Sequence, residues 1–197
     1  MFCTVDDLEN LLHFSIPTEK VPSAEAAIAA ATEAIKNYTC QTISQVVDDS
    51  IVIDGNGKTR LFLPELPVNG VTSVTVDGSV LVDGTDYKLG MYGVLYRLGG
   101  YVWTAGIANI EVVYSHGYAT IPDDIVNVCA RAAARAYQAG LRAEELGGVA
   151  VQSLGLGDYQ VAFGAESHGE GYAGVSGVRP LLLSEKDLLN RYRLVSQ

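Results

Sequence analysis

The chain has 197 residues, of which 48% are hydrophobic, and its formal net charge is −10. That length is enough to bury a core, since domains of about 150 residues remove roughly 70% of their unfolded surface from water. The negative charge disfavours tight nucleic-acid binding, which depends on clustered Lys and Arg side chains that neutralise phosphates.

Residues 1–45 predict the N-terminal helices of a helical bundle. Thr4 followed by Asp7 resembles a capping box that opens a short helix. Ser23 is the expected N-cap of a second helix. Along that helix, small and apolar side chains recur at helical spacing: Ala24, Ala27, Ile28, Ala31, Ile35 and Tyr38. We expect this narrow stripe to let a neighbouring helix approach closely.

Residues 46–118 predict a β-rich lobe, because short β-prone runs alternate there with turn pairs. The expected strands are Ser50–Ile53, Thr59–Leu63, Val71–Val76, Tyr87–Leu89, Val94–Leu98 and Ile110–Tyr114. The expected turns are Asp54-Gly55, Asn69-Gly70, Asp77-Gly78, Asp83-Gly84 and Gly99-Gly100. Turn pairs at this density predict that most connections are hairpins.

The segment Tyr114-Ser115-His116-Gly117-Tyr118 marks the transition from the lobe to an alanine-rich helix. We expect His116 to fix this corner and Gly117 to supply a backbone conformation that a side chain would oppose. Residues 119–143 predict the central helix of the bundle, with Pro122 and two aspartates at its start and Gly140 as its stop. Its apolar side holds Ile125, Val128, Cys129, Ala132, Ala133, Ala136 and Tyr137.

Residues 144–180 are glycine-rich and predict an extended arm, while residues 181–197 predict a C-terminal helix that Ser184 and Asp187 open with a capping box. Within the arm, Tyr159, Val161 and Phe163 alternate as in a strand. The arm is either a spacer or a strand that adds to a neighbouring subunit's sheet edge. The predicted fold class is therefore α+β, a small helical bundle with an inserted antiparallel β lobe and a Gly-rich extended arm.

The residue patterns indicate no cofactor, no metal site and no membrane span. The three histidines lie far apart, without the spacing of a metal motif. Cys3, Cys40 and Cys129 contain no CxxC pair, so a reducing compartment is expected. Gly57-Lys58-Thr59 precedes a β-prone run instead of the helix that a phosphate loop requires, which favours a hairpin turn.

Two patterns support an alternative, a soluble carbohydrate-binding or hydrolytic protein. Cys129, His116 and Asp123 are the residue types of a nucleophile, a base and an orienting acid. A position in an apolar stripe favours packing for Cys129. Four aromatic residues, Tyr92, Tyr96, Tyr101 and Trp103, are typical of a sugar platform, although cross-strand packing explains them more simply.

The order of several short segments resembles the head-to-tail connector, or adaptor, proteins of long-tailed bacteriophages. The likeness runs from about Ser23 to Arg193. The segments are Ala31-Thr32 through Tyr38-Thr39-Cys40-Gln41, Leu63-Pro64-Glu65-Leu66-Pro67-Val68, Tyr114 to Tyr118, Pro122-Asp123-Asp124 and Leu188-Leu189-Asn190-Arg191-Tyr192-Arg193. The resemblance implies a non-enzymatic structural protein of the virion.

The resemblance also implies the partners. The chain would form a ring with itself, a dodecamer, beneath the portal protein and would meet the next head-tail or tail-completion protein. Genomic DNA would pass through the ring without specific binding. The protein would be assembled in the host bacterial cytoplasm and would reside at the head-tail junction of the virion.

The residues expected to make these contacts are basic or strand-forming. The arginines of the central and C-terminal helices are candidates for inter-subunit or portal contacts, and the alternating residues of the arm are candidates for strand addition. Together they are Arg131, Arg135, Arg142, Tyr159, Val161, Phe163, Arg191, Tyr192 and Arg193. Acidic residues such as Asp48, Asp49 and Asp54 are expected to face solvent or the channel.

Overall fold

The computed structural model describes residues 1–145, 153–156, 159–162 and 181–193 of the chain. The chain divides into two compact units. One is helical and comprises Met1–Tyr38 and Asp123–Arg191, and the other is β-rich and comprises Thr39–Pro122 and Tyr192–Gln197. The fold class is α+β, as predicted.

The described residues of the helical unit form four α-helices. They are α1 (Val5–Leu12), α2 (Val21–Thr39), α3 (Asp123–Glu145) and α4 (Leu183–Leu189). The capping box of α1 is confirmed, because the Thr4 hydroxyl accepts from the Asp7 amide at 3.1 Å and the Thr4 amide donates to Asp7 Oδ2 at 2.8 Å. The predicted apolar stripe of α2 is buried from Ala24 to Ile35. The small residues of α2 therefore lie in the core, as their spacing predicts.

Three predicted helix boundaries are wrong. α2 begins at Val21, so that Ser23 lies inside its first turn; Pro22 fits there because the first amides of a helix have no intrahelical partner. α3 continues past Gly140 to Glu145, since an interior glycine costs only about 1 kcal/mol and good helix formers follow it. α4 begins at Leu183, and the Leu182 amide donates to Glu185 Oε2 at 2.9 Å. Glu185, not Asp187, therefore supplies the capping carboxylate.

The β-rich unit contains two antiparallel sheets. Its strands are β1 (Val46–Gly55), β2 (Arg60–Phe62), β3 (Val68–Val76), β4 (Ser79–Leu81), β5 (Tyr87–Leu89), β6 (Val94–Arg97) and β7 (Gly106–His116). One sheet has the order β1-β7-β3-β4 and the other has the order β2-β6-β5. Every predicted strand is present, and β4 is an additional strand that sequence analysis missed.

The expectation that most connections are hairpins is wrong. β7 pairs with both β1 and β3, and β6 pairs with β2, so most pairings join strands that are distant in sequence. Asn69-Gly70 lies within β3 and forms an irregularity in its register, not a turn. Asp77-Gly78 does form the predicted turn between β3 and β4, with positive φ at both residues, as a type I′ turn requires.

The core of the β-rich unit lies on one face of each sheet. Ile110, Val112 and Tyr114 are fully buried on β7, whereas Glu111 between them is exposed. This alternation confirms the two-residue period read from the sequence. The other buried members of this core are Leu61, Leu63, Val74, Tyr87, Leu95 and Trp103.

A third, two-stranded sheet lies in the glycine-rich region. Its strands are β8 (Ser153–Leu156) and β9 (Tyr159–Ala162), which pair antiparallel from Ser153 opposite Ala162 to Leu156 opposite Tyr159. The strand predicted at Tyr159 is therefore present. β8 was not predicted, because glycine-rich sequence around it hides the strand pattern.

Candidate interaction sites

The arginines of α3 lie along one side of the helix. Arg131, Arg135 and Arg142 are separated by four and seven residues, so at 3.6 residues per turn they fall within about 40° of one another. Arg131 and Arg142 are exposed and Arg135 is partly buried. We call these three residues the arginine side of α3. The opposite side holds the buried Cys129, Ala133 and Tyr137.

Arg135 holds α4 against α3. Its guanidinium donates to both carboxylate oxygens of Glu185, Nη1 to Oε1 and Nη2 to Oε2, each at 2.6 Å. The Glu185 side chain is only 4% exposed, whereas that of Arg135 is 29% exposed. A bidentate pair of this kind combines charge with a fixed geometry. Arg135 was expected to make an intermolecular contact; in the structure it has an intramolecular partner, and the intermolecular role stays a prediction.

Further polar contacts fasten the residues at the end of α4. Asn190 Oδ1 accepts a hydrogen bond from the Tyr38 hydroxyl of α2 at 2.7 Å, and the Lys186 ammonium lies 5.6 Å from the centre of the Tyr38 ring. Arg191 donates to Asp124 of α3 at 3.1 Å, although both side chains are largely exposed. Such exposed ion pairs contribute little to stability. Arg191 can therefore leave Asp124 and bind a residue of another protein with little loss of stability.

Arg131 and Arg142 differ from the other candidates. Both side chains are exposed, and neither forms an ion pair with any residue in the described ranges. Eleven residues of helix separate them, which corresponds to about 16 Å along α3. They present two cations to solvent from one rigid element, in a chain whose net charge is −10.

The remaining candidates lie in two places. Tyr192 belongs to the β-rich unit, where its ring meets that of Tyr118 edge to face at 6.0 Å, and Arg193 beside it is exposed. Tyr159 and Val161 lie in β9, and Phe163 lies outside the described residues. Among the described residues, the predicted contact residues thus belong to α3, to β9 and to the segment after α4.

The acidic residues expected to face solvent or a channel make local contacts. Asp48 accepts from the Thr72 hydroxyl at 2.6 Å, and Asp54 accepts from the Ala108 amide at 2.6 Å. Asp49 Oδ2 lies 3.2 Å from Nε2 of His116, whose side chain is almost fully buried. These carboxylates therefore fix the β1 strand within its own unit.

The His116-Gly117 corner is confirmed as a structural element. Gly117 has φ of +83°, and its amide donates to the Pro67 carbonyl at 2.9 Å. A Cβ at Gly117 would lie 2.5 Å from the Ser44 carbonyl oxygen. Glycine is therefore required both by the backbone conformation and by the approach of a neighbouring segment.

Some of the residues that suggested hydrolysis or sugar binding are buried, whereas Tyr92 and Tyr101 are exposed. Cys129 is 0% exposed, so a substrate cannot reach its sulfur in this conformation. Trp103 is also fully buried and donates its indole N–H to the Leu95 carbonyl at 3.2 Å. Arg60 lies over the Tyr96 ring and Arg97 over the Tyr101 ring. The aromatic residues thus do not form one open platform.

Two other kinds of site are absent from the described ranges. No three His, Cys, Asp or Glu side chains in those ranges come together as metal ligands would. In the same part of the chain, no helix has both the length and the apolar content that crossing a membrane requires.

Two contacts depend on partners that are distant in sequence and were not predicted. Glu185 is 50 residues from Arg135, and Cys3 is 126 residues from Cys129, whose sulfur it touches at 3.2 Å. The only local signal for Glu185 was its position near the predicted start of a helix. Nothing near Cys3 in the sequence indicated its partner.

Together, the elements and sheets described above define an α+β protein. Residues 1–131 match the head completion protein family. The match covers more than half of the 197 residues, and the chain belongs to that family. It is a structural protein of the virion that takes part in joining head to tail, as its resemblance to connector proteins indicated.

Solved structures with a similar fold come from gene transfer agent (GTA) particles. One is the neck of a native GTA particle computed with C12 symmetry, with 15% identity, a TM-score of 0.52, and coverage of 98% of this chain and 89% of that chain. Another is the neck of an empty GTA particle computed with C6 symmetry, with 16% identity, a TM-score of 0.53, and coverage of 100% and 91%.

A third similar structure is the virion of a native gene transfer agent (GTA) particle. It has 14% identity and a TM-score of 0.53, and the alignment covers 100% of this chain and 91% of that chain. At these identities the likeness establishes the fold. The comparison with curated proteins gave no match.

Proposed function

We propose that this chain forms a ring of twelve copies beneath the portal, joins the DNA-filled head to the tail and extends the channel through which DNA passes. The observation that carries the proposal is the similarity over 98% of the chain to a protein in a neck computed with C12 symmetry. The C6 symmetry of the second neck is compatible with the same ring, because a twelvefold axis contains a sixfold axis. This role requires no chemical reaction.

A closed ring requires a heterologous interface, in which two different surfaces of neighbouring copies meet. The arginine side of α3 suits one half of such an interface, because Arg131 and Arg142 are exposed cations on a rigid helix. The net charge of −10 means that acidic side chains dominate elsewhere in the chain. Complementary charge would then fix the register between neighbours.

Other candidates would meet the remaining neck proteins. We assign Arg191, Tyr192 and Arg193 to contacts with the portal or an adjacent copy, in keeping with the weak ion pair that Arg191 makes with Asp124. We assign the β8–β9 region to the next head-tail or tail-completion protein, since an extended strand can add to a free sheet edge. Phe163 belongs to this assignment by sequence alone.

The proposed ring encloses a channel, and the net negative charge of the chain suits the passage of DNA through it. An acidic protein repels the phosphate backbone, so DNA can move past it without specific binding. The proposed place of assembly is the host bacterial cytoplasm, where the thiols Cys3, Cys40 and Cys129 would stay reduced.

The test is charge reversal on the arginine side, in the double variant Arg131→Glu, Arg142→Glu. The two new carboxylates would then face the acidic surface of the neighbouring copy. Such repulsion between like charges costs several kcal/mol at an interface. We expect the yield of tailed particles to fall by about tenfold or more, and rings on purified portal to be lost in electron micrographs.

The matched control is Lys58→Glu, which removes an exposed cation from the β-rich unit. It should leave particle yield unchanged. Circular dichroism should show that both variants are folded. Normal rings and normal tail joining by the folded double variant would contradict the assignment of this side of α3 to the interface.

A further inference from the structure

Cys3 and Cys129 form a buried thiol pair in the helical unit. Their sulfur atoms lie 3.2 Å apart, and the two side chains are 5% and 0% exposed. A disulfide bond is about 2.05 Å long, so the sulfurs would have to approach by only about 1.2 Å to form one. The pair joins the segment before α1 to the first half of α3.

Neighbouring groups hold the two sulfurs together. Thr32 of α2 places its Oγ1 atom 3.6 Å from the Cys129 sulfur, and the same hydroxyl accepts a hydrogen bond from the Phe2 amide at 3.3 Å. The Phe2 side chain is buried as well. The segment that carries Cys3 is therefore anchored against the same place in α2 that Cys129 contacts.

Cys3 can make the small movement that bond formation needs. It lies before Thr4, the N-cap of α1, and so outside the hydrogen-bonded turns of that helix. A displacement of Cys3 consequently breaks no helical hydrogen bond. Local opening of a segment without secondary structure is also the least costly way for a small oxidant to reach a buried pair.

The two sulfurs have different acidities. The hydrogen bond from the Cys3 thiol lowers the pKa of Cys129 from 9.0 to about 7, with a further contribution from Thr32. The same interaction and burial raise the pKa of Cys3. Since the thiolate is the reactive form of cysteine, Cys129 is the nucleophile of the pair.

We propose that Cys3 and Cys129 are a covalent modification site, at which hydrogen peroxide converts the buried thiol pair into a disulfide that fastens the segment before α1 to α3. In the first step the Cys129 thiolate attacks one peroxide oxygen. An S–O bond forms, the O–O bond breaks, and the released hydroxide takes a proton to become water.

In the second step the Cys3 sulfur attacks the sulfur of the Cys129 sulfenic acid. The S–S bond forms, the S–O bond breaks, and the departing hydroxide leaves as water with the Cys3 proton. The two thiols lose two electrons in total, and one hydrogen peroxide is reduced to two water molecules. No metal or further reactant is required.

The disulfide would close a long loop and restrict the unfolded chain, which stabilises the folded one. If the protein is assembled in the cytoplasm, a point that rests on the proposed function, the thiols remain reduced there and the bond forms after release of the particle. The bond itself can be tested on the isolated chain, independently of any role in the neck.

The experiment uses the full-length chain with Cys40→Ser, because Cys40 is exposed and could link two molecules. The folded protein is treated with hydrogen peroxide. It is then denatured in the presence of iodoacetamide, which alkylates free thiols, and analysed by mass spectrometry. We expect the loss of two hydrogen masses, no alkylated cysteine, and a linked pair of Cys3 and Cys129 peptides. The Tm should rise by about 5–10 °C. It should return to its initial value when dithiothreitol reduces the disulfide.

A matched control adds Cys3→Ala to the Cys40→Ser chain. Peroxide should then add oxygen to Cys129 without a crosslink and without a rise in Tm. The proposal is overturned if the treated Cys40→Ser protein keeps two alkylatable thiols, if oxygen is added without a Cys3–Cys129 link, or if the link forms only in urea.

Discussion

Gly117 fixes the end of β7 for two separate reasons. Its φ of +83° is a conformation that other residues adopt only with strain, and the Ser44 carbonyl occupies the space that a side chain would need. The second reason is the stronger one, because the Ser44 segment pairs its own backbone with Tyr118 and cannot easily retreat.

Replacement of Gly117 tests whether the clash with the Ser44 carbonyl costs more than the backbone strain does. Gly117→Ala should destabilise the protein by about 3 kcal/mol or more, because it combines backbone strain with a clash. Gly78→Ala is the matched control, since Gly78 has φ of +79° but open space around it. It should cost only about 1 kcal/mol. Urea denaturation measures both, and equal losses would mean that the Ser44 carbonyl moves aside.

Residue-level features were predictable where the signal is local. Thr4 with Asp7 and the glycine after His116 each predict a conformation within a few residues, and the structure confirms both. The Arg135–Glu185 and Cys3–Cys129 contacts could not be predicted, because nothing in either local segment specifies a partner 50 or more residues away.

At the scale of elements, Glu185 has two functions at once. Its carboxylate accepts from the Leu182 amide at the start of α4 and binds the Arg135 guanidinium of α3. One side chain therefore contributes both to the start of α4 and to its attachment to α3. A helix of only seven residues is too short to be stable alone, so this attachment matters for its existence.

Glu185→Gln should weaken the attachment of α4. The variant keeps the shape of the side chain but leaves the Arg135 charge without its counter-ion, and partial exposure of Arg135 limits the cost to about 2 kcal/mol. Asp187→Asn, an exposed carboxylate of the same helix, should change stability by less than about 0.5 kcal/mol. Chemical denaturation compares the two, and an equal effect would show that the ion pair does not hold α4.

Elements were located more reliably than their pairing was. All six strands predicted in the β-rich lobe are present, because alternation and turn residues act over short distances. The pairing of β7 with β1 and β3 was missed, since long loops close at little extra entropic cost and leave no local pattern. Gly140 shows the opposite error: a strong local signal was overridden by the helix formers on either side of it.

On the scale of the whole molecule, the β8–β9 sheet is the described element most suited to partner contacts. Its two strands pair with each other in a sheet of their own. A two-stranded sheet is marginally stable in water and gains much from pairing with another chain. That gain is the physical reason to expect it at an assembly interface.

Deletion of residues 147–177 should therefore prevent tails from joining filled heads. Electron microscopy of particles from cells that express the variant gives the fraction of heads with tails. Deletion of residues 165–177 alone is the control, because it retains β8 and β9. Normal tail joining after the longer deletion would exclude the region as an assembly element.

Function was predictable at this scale through the order of short segments, not through any reactive group. Segments such as Tyr114 to Tyr118 and Pro122-Asp123-Asp124 indicated a connector protein, and the match of residues 1–131 to the head completion protein family confirms that class. The contact surfaces were not predictable in the same way, because exposure of Arg131 or Arg142 is settled only by the folded helix.

Each unit is built from two stretches that are separated in the sequence, and this affects folding during synthesis on the ribosome. Helix α2 ends at Thr39, but its partner α3 begins at Asp123, and β1 cannot pair before β7 has emerged. At roughly 5–20 residues per second, the nascent α2 waits several seconds with its apolar stripe uncovered. Translation speed and chaperone supply in the infected cell should therefore influence how much of this protein reaches the particle.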